Sequence, residues 1–300
     1  MTDDATGDTT DGTHVNTPPR NVGTPSDPTA PHPHRTRHEL ITLAVIVLVV
    51  VGGYSGVRYW VGRGQGHEVT VDDAAMGFTP GAAGTADAVR PAQGVYRYRG
   101  TGTETLSAFG ANQAQGPEIP GTVTWRPNGC WTIRIDFNSN HHETDTYCAT
   151  VDGLTAGTRV TFSRWSIAVI TQTTIETVVC DPVPIIVPTT LTGGATTTQA
   201  CTSTNTQAAG TTDYTGTYTV IGKENVVVGK ETVSTVHIRS SVALTGAKTG
   251  STTTDLWFET STGLPVRNTR RIEVHSPSPI GSVTYNERGT FRLVSLTPHT

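Results

Sequence analysis

The chain has 300 residues, a formal net charge of -4 and only 15% charged side chains, and neither sign clusters heavily along it. That balance excludes the electrostatic footprint expected of a nucleic-acid binder or of a module for a strongly charged partner.

The elements are taken in chain order. Residues 1–38 run through Asp, Thr, Pro, Gly and His, with Val15 and Val22 as their only aliphatic residues beyond Met1 and the alanines. Such a stretch cannot bury enough apolar surface to offset chain entropy, so it is expected to be a disordered tail. From Leu40 to Val51 the sequence is LITLAVIVLVVV, and it continues as GGYSGV before Arg58. The run is apolar all round and about long enough to cross a bilayer as a helix, which needs roughly 17–25 residues. Tyr54, Tyr59 and Trp60 sit at its C-terminal end, where amphipathic rings prefer the headgroup layer. A transmembrane helix is therefore expected over 39–61, with membrane contact through residues 40–60. A cleaved secretory signal competes with this reading, but a long tail precedes the apolar core and no clear A-x-A site adjoins it. Residues 62–90, rich in Gly, Ala, Asp and Thr, read as a flexible linker.

All four cysteines, Cys130, Cys148, Cys180 and Cys201, follow the apolar run. An even count on one side of a membrane suggests two disulfides in an oxidising compartment. This places the C-terminal part outside the cell membrane and the tail in the cytoplasm. Three pairings are open to four cysteines. Cys130 and Cys148 flank WTIRIDF and ETDTY symmetrically about Ser139, as cross-strand partners of a hairpin would, and Cys180 and Cys201 flank a segment centred near Leu191. These spacings favour Cys130 with Cys148 and Cys180 with Cys201. They contain no C-x2-C knuckle, which argues against zinc.

From Pro91 onward β-branched and aromatic runs alternate at period two between turn residues, and no helical stripe competes with them. Residues 91–300 are expected to form one all-β domain. In the hairpin TTTDLWFETSTGLPVRNTRRIEV, Leu256 and Phe258 face opposite Asp255, Trp257 and Glu259, and Pro265 opens the returning strand. One strongly apolar face then has to be covered by curling, by a second sheet or by a ligand. DPVPIIVP, residues 181–188, is too broken for a central strand and reads as a lid or edge loop. The Thr-rich residues 196–212 read as a solvated loop.

Candidate chemistry is sparse. His141, His142, Glu143 and Asp145 in HHETD are of metal-ligating types, but they fall in an expected turn, where solvation alone explains them. No G-x-S-x-G elbow, P-loop, dinucleotide-binding Gly pattern or H-E-x-x-H occurs, so no catalytic residue, metal or cofactor is assigned. Trp125, Trp131, Trp165, Trp257 and Phe258 are the candidates for a ligand-facing aromatic surface, with a buried β core as the commoner use of Trp.

GVYRYRGTGTE at 94–104, GCWTIRI at 129–135, TYC at 146–148, CDP at 180–182 and STTTDLWFETSTGLPVR at 251–267 together resemble a family of uncharacterised actinobacterial single-pass membrane proteins. Scarce Lys and abundant Ala, Gly, Thr and Val agree with coding in a GC-rich bacterium. The DLWFETSTGLPVR hairpin is also similar to one in envelope proteins of the lipoprotein-carrier fold. That resemblance implies a curved antiparallel sheet, an incurved half-barrel or open barrel, with a concave apolar face. The function expected is non-enzymatic binding of a hydrophobic envelope ligand such as a lipid. The alternatives are a structural or sensory module that partners another membrane protein, and a cell-wall hydrolase.

Overall fold

The computed structural model describes residues 66–81, 90–107, 110–167, 170–207, 209–278 and 281–300. The expected tail and transmembrane helix lie outside them. No helix among the described residues is long and apolar enough to cross a membrane.

The fold is all-β. One short helix, α1 (Val71–Met76), precedes fourteen strands: β1 (Gly94–Leu106), β2 (Ala111–Gln115), β3 (Glu118–Trp125), β4 (Cys130–Asn138), β5 (His141–Thr150), β6 (Gly153–Ile167) and β7 (Ile170–Cys180), followed by β8 (Ile185–Pro188), β9 (Thr196–Asn205), β10 (Thr212–Val228), β11 (Glu231–Gly246), β12 (Thr249–Glu259), β13 (Pro265–Ser278) and β14 (Gly281–Leu293). Each pairs antiparallel with its neighbours, in the order β14-β13-β12-β11-β10-β9-β7-β6-β5-β4-β3-β1. The sheet does not stop there as an open or half barrel would, because β14 also pairs with β1 from Tyr98↔Leu293 to Leu106↔Tyr285. The result is a closed ring of twelve strands. β2 pairs only with the far half of β1, and β8 only with the start of β6.

Period-two patterning sets which side chains enter the ring. On β4 Trp131, Ile133, Ile135 and Phe137 point inward, and on β11 Val236 and Ile238 do so, all 6% exposed or less. At the end bearing the β12–β13 turn, termed lower here, aromatic rings from different strands touch. Tyr147 of β5 meets Phe258 of β12 edge-on at 5.7 Å, and Tyr98 of β1 meets Phe291 of β14 at 5.6 Å. Tyr98 Oη donates to the Pro265 carbonyl at 2.7 Å. Burying each such ring contributes about 1.5–3 kcal/mol, so this packed stack is the main core.

Two segments differ from their sequence reading. Thr196–Asn205 is not a solvated loop but the wall strand β9, because exposed β-branched Thr198, Thr202 and Thr204 alternate with covered Gln199, Cys201 and Ser203. Within 181–188, β8 tucks Ile186 into the lower core at 2% exposure. In the stretch 62–90, residues 66–81 lie against the barrel. Gly66 N donates to Gln113 Oε1, His67 O accepts from Ser139 N, and Val71 N donates to Glu118 Oε1 at 2.7 Å. Thr70 caps α1 reciprocally with Asp73, and Val71 is fully buried.

Two disulfides staple the wall. Cys130–Cys148 joins the paired β4 and β5, and Cys180–Cys201 joins β7 and β9; each bond links directly opposed residues.

Candidate functional site

Above the aromatic stack the interior changes character. β5 alternates so that His141, Glu143 and Asp145 enter the ring, while His142 points out and stacks on Phe162 at 4.7 Å. The adjacent histidines therefore serve opposite faces. HHETD is a strand; the turn itself is Ser139–Asn140.

Opposite β5, Arg270 of β13 reaches across the interior. Its Nη1 donates to Glu143 Oε2 at 2.7 Å and its Nη2 to Glu143 Oε1 at 2.6 Å. Nη2 also donates to Glu287 Oε2 at 3.1 Å, and Nε lies 2.9 Å from Glu287 Oε1 at an angle too bent for a hydrogen bond. Gln115 Nε2 bridges Glu287 Oε1 at 2.7 Å and Glu104 Oε1 at 3.0 Å. Glu104 Oε1 in turn lies 2.8 Å from His141 Nδ1, and Tyr285 Oη donates to Glu287 Oε2 at 2.7 Å. The facing glycines of β1 and β14, Gly102 and Gly289, make the slot for Gln115, since a Cβ on either would collide with its amide oxygen.

These groups form a layer that is almost dry: Glu104, Glu143, His141, Arg270 and Glu287 are all buried. Burial works against the charge of His141, but Glu104, Glu287 and Glu143 outweigh it and lift the imidazole to about 9. Burial likewise opposes ionisation of Glu143, and Arg270 and Arg159 overcome it, holding the carboxyl far below its usual range. One acceptor is left over: Glu104 Oε2 is buried with no hydrogen-bond partner among the described residues. The layer is a lattice of paired charges that spans the interior between β5, β13, β14 and β1.

Between the Glu143–Arg270 pair and Tyr147 the interior leaves one guanidinium exposed. Arg159 of β6 points inward and is tied by Nε to Asp145 Oδ1 at 2.7 Å, yet its side chain remains 41% exposed. A guanidinium inside a ring of strands can be that exposed only if solvent fills the space before it. Twelve strands also exceed the eight whose interior side chains alone can fill. Ile272, Val274 and Val283 line the upper lumen, above the layer, half-buried on the inward phase of β13 and β14. Near the upper rim, Glu176 accepts from Lys248 Nζ at 2.7 Å, Ser203 Oγ at 2.7 Å and Tyr214 Oη at 3.1 Å.

The five aromatics singled out from sequence do not share one surface. Trp131 and Phe258 lie in the lower core, linked through Tyr147. Trp125 lies at the lower end of β3, where Arg90 covers its ring at 3.7 Å and the Pro91 carbonyl accepts Nε1–H. Trp257 faces outward, between His237, stacked at 4.1 Å, and Arg267 at 4.5 Å. Glu224 accepts its Nε1–H at 2.8 Å. Only Trp165, edge-on to Tyr285 at 6.2 Å, belongs to the upper lumen. Arg159, Arg270, Glu104 and Glu287 were missed; the signal was present in charged residues occupying the inward phase of otherwise apolar alternation.

No protein-family model matches the chain. No curated protein matches it either. Among solved structures the chain is similar to the crystal structure of the hypothetical lipoprotein YmcC from Escherichia coli (K12), at 10% identity and a TM-score of 0.31, over 76% of this chain and 99% of that one. An overlap that loose bears on neither the fold nor the activity of this protein.

Proposed function

We propose that the protein is a membrane-anchored, extracytoplasmic β-barrel that holds an amphipathic envelope ligand in its lumen. Disulfides in the wall fit an oxidising compartment, and the apolar run at 40–60 supplies the anchor. The observation that carries the reading is the water-reached Arg159 inside a closed ring. A guanidinium exposed inside a ring whose interior also carries half-buried Ile272, Val274 and Val283 suits a molecule that is greasy in one part and hydrogen-bonding in another. The seat differs from the concave apolar face expected from the sequence. The stack of Trp131, Tyr147 and Phe258 is filled by its own side chains, so the ligand is seated elsewhere in the lumen.

Native mass spectrometry of the full oxidised chain, purified from the envelope, with organic extraction of whatever co-purifies, tests this. One lipid-like molecule bound at defined stoichiometry is the expected result. A mass corresponding to the bare chain with two disulfides, unchanged after incubation with envelope lipid extract, would remove the ligand-carrying function.

A further inference from the structure

The outer wall of β13, β14 and β1 carries a charge pattern that the linear sequence hides. Alternation turns Arg270, Glu287 and Glu104 inward on these strands, so Arg267, Arg271, Arg288, Arg292 and Arg99 take the outward phase, and all five are exposed. The register sets them side by side. Arg267 stands opposite Arg292, which stands opposite Arg99; above a row of Thr269, Thr290 and Thr101, Arg271 stands opposite Arg288. Directly opposed like charges destabilise a sheet. Among the described residues Arg99, Arg271, Arg288 and Arg292 make no ion pair or hydrogen bond, and Arg267 lies over the Trp257 ring at 4.5 Å. The neighbouring acids are engaged elsewhere. Glu273 on the same face lies 3.5 Å from His275 Nε2, Glu118 of β3 lies 3.6 Å from Arg97 Nε, and Asp255 of β12 holds His237 and Arg239.

Five cations on one wall of a chain whose net charge is -4 fit a partner that is itself a surface of fixed negative charge. The route of the chain points to which one. Membrane contact is expected to end at residue 60, and Gly66 is already bound to the barrel through Gln113 Oε1. The residues from 61 to 66 span at most about 20 Å, so Gly66 stays close to the headgroups. Gln113 stands opposite Glu104 of β1, and the adjoining Thr103 stands opposite Arg288 on the other side of that strand. The tether therefore meets the barrel at the height of Arg288, with β1 between them. An open depression on the same wall, lined by Thr103, Thr105, Asn286 and Arg288, sets hydroxyl and amide donors beside a guanidinium, a set suited to a phosphate. We infer that this wall lies on the bilayer that anchors the chain and that its arginines bind anionic phospholipid headgroups.

The inference rests on the membrane anchor of the proposed function and is independent of the lumenal ligand; its test separates anchor from wall. The full oxidised chain is inserted into nanodiscs of phosphatidylcholine with or without phosphatidylglycerol, and modification by phenylglyoxal is followed for each arginine by peptide mass spectrometry. Arg99, Arg271, Arg288 and Arg292 are expected to react at least about threefold more slowly in the anionic bilayer, since each basic side chain near such a surface contributes about fivefold to binding. High salt is expected to abolish the difference. Arg239 of β11, held by Asp255, is the internal reference and should react alike in both. The double variant Arg271→Gln with Arg288→Gln removes facing like charges, so it is expected to fold at undiminished stability while Arg99 and Arg292 lose their protection. Equal rates in the two bilayers, or protection that persists in high salt or in the double variant, overturn the lipid-binding wall and leave the anchor standing. Protection by soluble polyphosphate on neutral nanodiscs, with none from phosphatidylglycerol, assigns the wall to an anionic polymer and overturns it likewise. Release of the chain from vesicles of the same lipids by alkaline carbonate overturns the anchor and the inference with it.

Discussion

Arg270 and Glu143 stand on β13 and β5, far apart around the ring, and meet in the middle through two hydrogen bonds of 2.7 and 2.6 Å. A pair of this kind ties two distant walls of the barrel together. Removing one partner leaves the other charged and buried. Arg270→Met is expected to cost about 3–5 kcal/mol in urea denaturation, and the triple change Arg270→Met, Glu143→Gln, Glu287→Gln to recover most of it. Equal losses in both would mean that the layer contributes packing rather than charge pairing.

His141 predicts a pH dependence with a definite sign. Its folded value of about 9 exceeds the ordinary 6.5, so the protonated ring stabilises the fold. That contribution is complete below about pH 6.5 and is lost as the pH rises through 9, on the order of 3 kcal/mol in all. The denaturation midpoint should fall across that window in the native chain and stay flat over it in His141→Gln. Glu104→Gln should lower the His141 titration seen by NMR, since the nearest carboxylate is gone.

The Cys130–Cys148 bond closes a hairpin of sequence separation 18. Replacing both residues by Ser should cost about 3 kcal/mol if the constraint acts on the unfolded chain as loop-closure entropy requires. Thermal denaturation of the double variant under non-reducing conditions measures it, and an unchanged midpoint would show that strand pairing alone fixes β4 on β5.

Trp131 is fully buried, with its indole N–H unpartnered among the described residues. Trp131→Ala should be severe, at about 3–5 kcal/mol, because it opens a cavity under Tyr147. Trp131→Phe removes an unsatisfied donor along with some volume and should cost clearly less. If the two variants were equally damaged, the indole nitrogen would have to be making a contact that the native geometry does not show.

Local patterning made much of this legible. Alternation marked the strands, and the symmetry of Cys130 and Cys148 about Ser139 matches a turn at Ser139–Asn140. In the DLWFET hairpin, Leu256 and Phe258 take one phase of the strand and Trp257 the other, the division that its alternation predicts, with Trp257 itself buried under His237 and Arg267. Closure was not legible, because the pairing of Tyr98 with Leu293 is a relation between chain ends that no window of sequence contains. Nor was the charged layer, since Glu104, Glu143, Arg270 and Glu287 come from four separate strands and each alone looks like an ordinary surface charge. The threonines of β9 misled for a related reason: Thr is polar enough for a loop and branched enough for a wall, and only its neighbours decide.

The β1–β14 seam has one more consequence. A strand at the edge of an open sheet offers unpaired amides to any passing chain, which is how sheets recruit partners and how they aggregate. At that seam the edge does not exist; among the described residues the short β2 and β8 and the lower part of β10, whose Gly222–Val228 pair with β11 alone, carry what remains of it. Along the β1–β14 seam a protein partner would therefore have to recognise side chains, and copies of the barrel crowded against that seam find no strand there to extend.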